Sequence, residues 1–102
     1  MKQITFKGVE YKLKRGTYQD NNNTALVLLD EDNELVSMAT LNLGDVLAED
    51  EAYIKDYSEN SGMLEALEEA GVVVKVIGSK PSGFILAPMV KLDLTDIEEL
   101  EG

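Results

Sequence analysis

The chain of 102 residues contains no cysteine and no histidine. Without cysteine there is no disulfide framework, thiolate nucleophile, thiolate zinc site or iron–sulfur cluster. Without histidine the usual neutral-pH proton shuttle and the commonest transition-metal ligand are also missing. Serine–histidine and cysteine–histidine catalysis are therefore excluded within this chain. No apolar run approaches the roughly 18 residues of a membrane span, and the start, Met1 to Lys7, lacks the apolar centre of a secretory signal. The expectation is a cytoplasmic protein with no membrane partner.

Bases are scarce as well: 9 Lys and Arg against 20 Asp and Glu leave a formal charge of −11. An apolar fraction of 44% is nevertheless that of a folded globule. The length fits one small domain, which withdraws about 60 to 70% of its unfolded surface from water. The charge is uneven. Residues 1–15 carry Lys2, Lys7, Lys12, Lys14 and Arg15 against Glu10, whereas residues 16–102 carry 4 bases and 19 acids, a net −15. Nucleic-acid binding depends on Lys and Arg displacing counterions, so direct contact with nucleic acid is not expected of the larger part. The basic segment reads as the solvent face of a hairpin whose lysines protect a strand edge.

Alternation organises the first half. Ile4 and Phe6, then Val9, Tyr11 and Leu13, alternate with polar residues in the period of half-buried strands, and Gly8 turns between them. Gln19 to Asn23 is a loop, since Asn and Asp tolerate left-handed geometry. Thr24 to Leu29 is apolar enough for a central strand covered on both faces, and Leu35 to Leu43 is the return strand. In the second half Ala52 to Ile54 is a short extended piece. Asn60 or Ser61 caps a helix over roughly 62–70, closed by Gly71. Met63, Ala66, Leu67 and Ala70 share one helix face, opposite Glu65, Glu68 and Glu69. Val72 to Ile77 and Phe84 to Leu92 form a final hairpin joined by a loop over 78–83, with Pro88 marking an edge or a bulge. Residues 93–102 are an acidic tail, in which Thr95 and Glu98 have capping-box spacing; a helical turn and a frayed end both fit. The expected fold is one α+β domain over residues 1–92, a twisted antiparallel sheet of about five to six strands carrying one short amphipathic helix.

Chemistry-bearing patterns are weak. Asp30 to Glu34 suggests a calcium loop, but the position that needs Gly is Leu35 and the one that needs Glu is Leu41. A solvated turn is the expectation, with no metal and no cofactor. Asp56 and Glu59 would serve as an acid–base pair only with a desolvating cleft around one of them. Gly78-Ser79-Lys80 lacks the upstream glycine of a phosphate loop. No catalytic residue is nominated, and no enzymatic activity is expected.

What remains is acid on a folded scaffold. Glu49, Asp50, Glu51, Asp56 and Glu59 precede the helix, and Glu65, Glu68 and Glu69 lie along its outer face. Carboxylates three and four apart on a helix stand about 5 to 6 Å from one another, comparable with successive phosphates of a nucleic-acid strand. Such a face resembles nucleic acid to a basic groove; the plainer reading is acidity for solubility. Tyr53 and Tyr57, interleaved with the acids, are either interface anchors or half-buried strand residues. These ten residues form the candidate partner-binding surface.

Several phrases carry a resemblance: Asn23-Thr24-Ala25-Leu26 with Leu29-Asp30-Glu31, Ala39 to Leu43, Ala52 to Asn60 running into Gly62 to Leu67, and Pro81-Ser82-Gly83-Phe84. Together they resemble a family of small acidic proteins carried on conjugative plasmids, integrative elements and phages, chiefly of Gram-positive and gut bacteria. The resemblance spans roughly residues 18–92, implies a mobile-element context and brings no catalytic residues. It leads to the expectation of a non-enzymatic anti-defence inhibitor, anti-CRISPR or anti-restriction. The expected partner is a host nucleic-acid-binding protein with a basic groove. The alternative is an accessory interaction module for conjugation or replication control, without mimicry. Oligomeric state is left open.

Overall fold

A computed structural model describes residues 2–100. The α+β class is as expected, with nine strands in two sheets, one short α-helix and a single 3-10 turn (Ser58–Asn60) among the described residues. The first sheet has the order β1 (Gln3–Phe6), β2 (Val9–Thr17), β3 (Thr24–Leu29), β4 (Leu35–Met38), all antiparallel. The second has the order β5 (Thr40–Leu41), β6 (Glu51–Ile54), β8 (Ile85–Leu92), β7 (Val73–Ser82), again antiparallel.

The single sheet of five to six strands is corrected at Ala39. The expected return strand over 35–43 leaves one sheet there and enters the other. Its amide donates to Leu26 O at 2.8 Å, and its carbonyl accepts from Lys55 N at 2.8 Å. One fully buried residue thus serves both ladders. Where the first ladder breaks, Thr40 Oγ1 accepts from Leu26 N at 3.2 Å, so the buried amide is not orphaned. The β1–β2 turn falls at Lys7-Gly8, both with positive φ as a type I′ turn requires. All six residues of β3 are buried, as expected of a strand covered on both faces. Leu26 and Leu28 enter the main core, while Ala25, Val27 and Leu29 floor a groove on the opposite face.

The helix α1 (Met63–Glu69) packs against β1 and β7 and buries Met63, Ala66 and Leu67. Neither expected cap is used. Asn60 is buried instead, donating to Met38 O at 2.7 Å and accepting from Ser37 Oγ at 2.7 Å. Asp56 caps from a distance, its Oδ1 accepting from Gly62 N at 3.0 Å and Leu64 N at 3.1 Å. The C-terminus closes as read. Val72 N bonds Leu67 O at 2.9 Å and Gly71 N bonds Glu68 O at 3.0 Å around a φ of 76° at Gly71, a Schellman pair. A side chain at that φ is strained even with open space around it. Gly71→Ala is expected to cost about 1 kcal/mol, read as a lower urea midpoint with unchanged slope.

Two segments differ further from expectation. β7 runs on to Ser82, so five of the six residues of the expected 78–83 loop are strand, and the turn is Gly83-Phe84. Gly83, at φ 63°, supplies the positive angle that the first central position of a II′ hairpin needs. Pro88 lies on β8 beyond the reach of β6, which pairs only with Met89 to Lys91, so its missing donor disturbs no ladder there. Over residues 93–100 the tail forms no helical turn, and residues 101–102 lie outside the described residues. Asp93 Oδ1 accepts from Thr95 N at 2.9 Å and Asp96 takes φ 64°, a left-handed step that a helix does not pass. Ile97 then enters the core, and β9 (Glu98–Glu99) pairs in parallel with Lys14 and Arg15 of β2. Among the described residues, no helix is long and apolar enough to cross a membrane.

Candidate functional site

The ten residues nominated from sequence fall into two groups in the fold. Those before α1 are mostly occupied by the fold itself. Glu49 lies 3.8 Å from Arg15 Nη1, and its carbonyl accepts from Thr24 Oγ1 at 2.7 Å. Asp50 pairs with Lys91 at 3.2 Å. Glu51 accepts from Ala48 N at 3.0 Å and stands 3.9 Å from the same ammonium. Asp56 is the cap of α1 already described. Tyr57 is half-buried, with Lys55 Nζ 5.8 Å from its ring centroid. Glu59 pairs with Lys55 at 3.1 Å. A backbone hydrogen bond at Glu59 itself, then the Lys55 ammonium, holds this carboxyl below the usual range.

As an interface anchor Tyr53 is corrected: it is a residue of β6, the alternative reading, and only 4% exposed. It lies on the outer face of the second sheet, beside Met89, and the loop over 42–50 closes over it. Two bonds from buried Asn23 fix that loop: Nδ2 donates to Asp45 O at 2.7 Å, and Oδ1 accepts from Leu47 N at 2.9 Å. Asp45 then sits where Tyr53 Oη donates to its Oδ2 at 2.6 Å and Lys80 Nζ approaches its Oδ1 at 3.2 Å. The bond to Asp45, with burial second, pushes the Tyr53 phenol up to about 12. Ionisation there would set a phenolate against a carboxylate. The same bond, with Lys80 adding to it, holds Asp45 below the ordinary carboxylate range. No sequence pattern joins Asp45, Tyr53 and Lys80; only the folded loop assembles them.

The sign of this coupling is testable. The folded phenol titrates above its unfolded value of about 10, so its stabilising contribution is complete below about pH 10 and fades as pH rises through about 12. Tyr18 is also raised, by burial, against its hydrogen bond to Thr40. In an absorbance titration of the 4 tyrosines, Tyr53→Phe is expected to remove the last step. A last step that survives the substitution contradicts the assignment.

The second group is the outer face of α1. Glu65, Glu68 and Glu69 are exposed, and among the described residues no Lys or Arg lies within ion-pair distance of any of them. Glu65 and Glu69 border a shallow groove of about 330 Å³ between α1 and β1, floored in part by Phe6 and Ala66. The acidic turn over 30–34 is a side-chain-closed loop: Asp30 Oδ1 accepts from Asp32 N and Glu34 N, each at 2.9 Å. Among the described residues no group of three His, Cys, Asp or Glu is placed to hold a metal ion.

No family model matches the chain, and no curated protein or solved structure matches it either.

Proposed function

We propose that this protein is a non-enzymatic inhibitor of a host nuclease, occupying the enzyme's basic nucleic-acid groove with the outer carboxylates of α1. The observation that carries this reading is the trio Glu65, Glu68 and Glu69. Five neighbouring acids are engaged by local lysines, an arginine or backbone amides, whereas these three have no basic partner among the described residues. Like charges three and four apart on a helix destabilise it by about 0.2 to 0.5 kcal/mol per pair. The face therefore carries a repulsion with no local compensation, which a groove lined by Lys and Arg would relieve. The resemblance to proteins of mobile elements supplies the context, since such elements meet defence nucleases on entry.

A second reading, an accessory interaction module of the element, is favoured by a different feature: exposed Val74, Val76, Phe84 and Leu86 on β7 and β8. Capture from host lysate on the immobilised protein separates the two. Defence nucleases released by added duplex DNA support the inhibitor. Element-encoded relaxation or replication proteins that duplex DNA does not release support the module.

A further inference from the structure

We propose that the free edge of β1 takes an extended basic segment of a partner protein as an added strand, with bases on alternate residues held by Glu65 and Glu69. This contact deepens the inhibitor reading and rests on it only for the identity of the partner.

The edge is open. Leu13 N donates to Lys2 O at 2.9 Å. Bonded and non-bonded pairs alternate along an antiparallel ladder, so Ile4 and Phe6 exchange bonds with Tyr11 and Val9, while the N–H and C=O of Gln3 and Thr5 face away from β2. Both residues are exposed, and among the described residues neither backbone finds another partner. Such an edge is a template for strand addition, in which main-chain bonds supply affinity and alternate side chains supply specificity. The pairing of β1 is regular, whereas the edge strands β4 and β7 pair through shifted registers that disrupt theirs.

Beside the edge lies a trough. Two grooves of about 260 and 330 Å³ meet at Thr5, Ala66 and Glu69. Gln3 and Ala70 line one end, and Gly8 with Ser61 and Gly62 line the other, so strand and helix lie side by side in opposite directions. Glu65 and Glu69 line the α1 side and enter no ion pair among the described residues. Lys7, at the Gly8 end, has its ammonium on Glu59 O at 2.9 Å. Residues four apart on a helix rise about 6 Å, and alternate residues of a strand advance about 6.6 Å. Ile4 and Phe6 turn into the core with Ala66, so residues opposite them on an added strand direct their side chains towards α1. A Lys or Arg at each of two such positions meets one carboxylate. A second copy cannot supply this segment. Bases two residues apart occur in this chain only at Lys12 and Lys14, on β2, which is already paired with β1, β3 and β9.

The probe is an acetylated, amidated heptapeptide in which lysine alternates with threonine, added to the wild-type chain. With the peptide at about ten times its dissociation constant, amide hydrogen exchange at Gln3 and Thr5 should slow about tenfold. An isomer with its three lysines adjacent should bind about threefold more weakly, through loss of one exposed ion pair, and Glu65→Gln with Glu69→Gln should weaken the alternating peptide at least as much. Only alternate amides of an added strand face β1. Of two N-methylated forms, one blocked at the threonine amides and one at the lysine amides, one should therefore lose binding and the other keep it; the threonine form is the one lost in antiparallel addition. Thr5→Pro removes an N–H that makes no ladder bond, and should abolish binding with an unchanged circular dichroism spectrum. Unchanged exchange at Gln3 and Thr5, equal binding of the two N-methylated forms, or indifference to the paired Gln substitutions overturns the proposal. A nuclease captured from lysate through α1 that leaves exchange at Gln3 and Thr5 unchanged overturns this contact and spares the inhibitor reading. Protection by the peptide with no nuclease captured supports the contact and counts against the inhibitor.

Discussion

Changing Glu65, Glu68 and Glu69 together to Lys is expected to weaken docking to the target groove by about two orders of magnitude, with fold stability almost unchanged. Each reversal replaces an attraction of about 0.5 kcal/mol, within the range for an exposed pair, by a repulsion of similar size, so the three together amount to about 3 kcal/mol, and 1.4 kcal/mol corresponds to a factor of ten. The fold tolerates the change because all three side chains are exposed. Glu68 and Glu69 close the helix, where a cation suits the macrodipole, while Glu65 in the first turn has the opposite preference. These effects are each about 0.3 to 1 kcal/mol and partly cancel. The Gln variants form the graded control: they remove attraction without adding repulsion and should lose about one order of magnitude. The pair of measurements is a binding titration and a urea denaturation on the same variants. Equal loss of binding and of stability would mean that the face acts through the fold.

Asn23→Ala is expected to lower fold stability by about 3 kcal/mol. Asn23 is 4% exposed, and its amide holds both Asp45 O and Leu47 N. Truncation leaves two backbone groups of the 42–50 loop without their partners, at about 1 to 3 kcal/mol each. A total of about 3 kcal/mol lowers Tm by about 15 °C for a domain of this length. The same substitution frees Asp45 from its position over Tyr53, so the phenol should titrate closer to its ordinary value. Stability and titration must therefore move together. A thermal midpoint lowered by less than about 3 °C, or an unmoved Tyr53 titration, contradicts the role given to Asn23.

Elements specified by neighbours in sequence were legible. The alternation of Ile4, Phe6, Tyr11 and Leu13, the unbroken apolar run of β3 and the two faces of α1 each follow from local periodicity, and the fold places them accordingly, whereas Val9, read into the same stripe, is 49% exposed beside the turn. Elements specified by distant contacts were not. Ala39 bonds Leu26 and Lys55 and so divides one strand between two sheets, a task that no residue type announces. β9 is two residues long and parallel, too short for any period to register, and the capping-box spacing of Thr95 and Glu98 pointed to a helix that Asp96 interrupts. The candidate surface divides for the same reason. Acids of 49–59 read as free charges in sequence, yet Arg15, Lys55, Lys91 and the amides of Gly62 and Leu64 meet them in space. Of the ten residues that the sequence nominates, three carboxylates on one helix are left without a basic partner among the described residues.

The central claim is that those carboxylates stand in for nucleic acid. It is tested most directly by binding of the lysate-captured host protein, measured between about 50 and 200 mM salt with and without a duplex oligonucleotide. Counterion release makes nucleic-acid grooves steeply salt-sensitive. The account predicts affinity that falls at least tenfold across that range, competition by the duplex, and loss of both behaviours in the triple Lys variant. Binding that ignores salt, survives excess duplex and is unchanged by the triple substitution contradicts it.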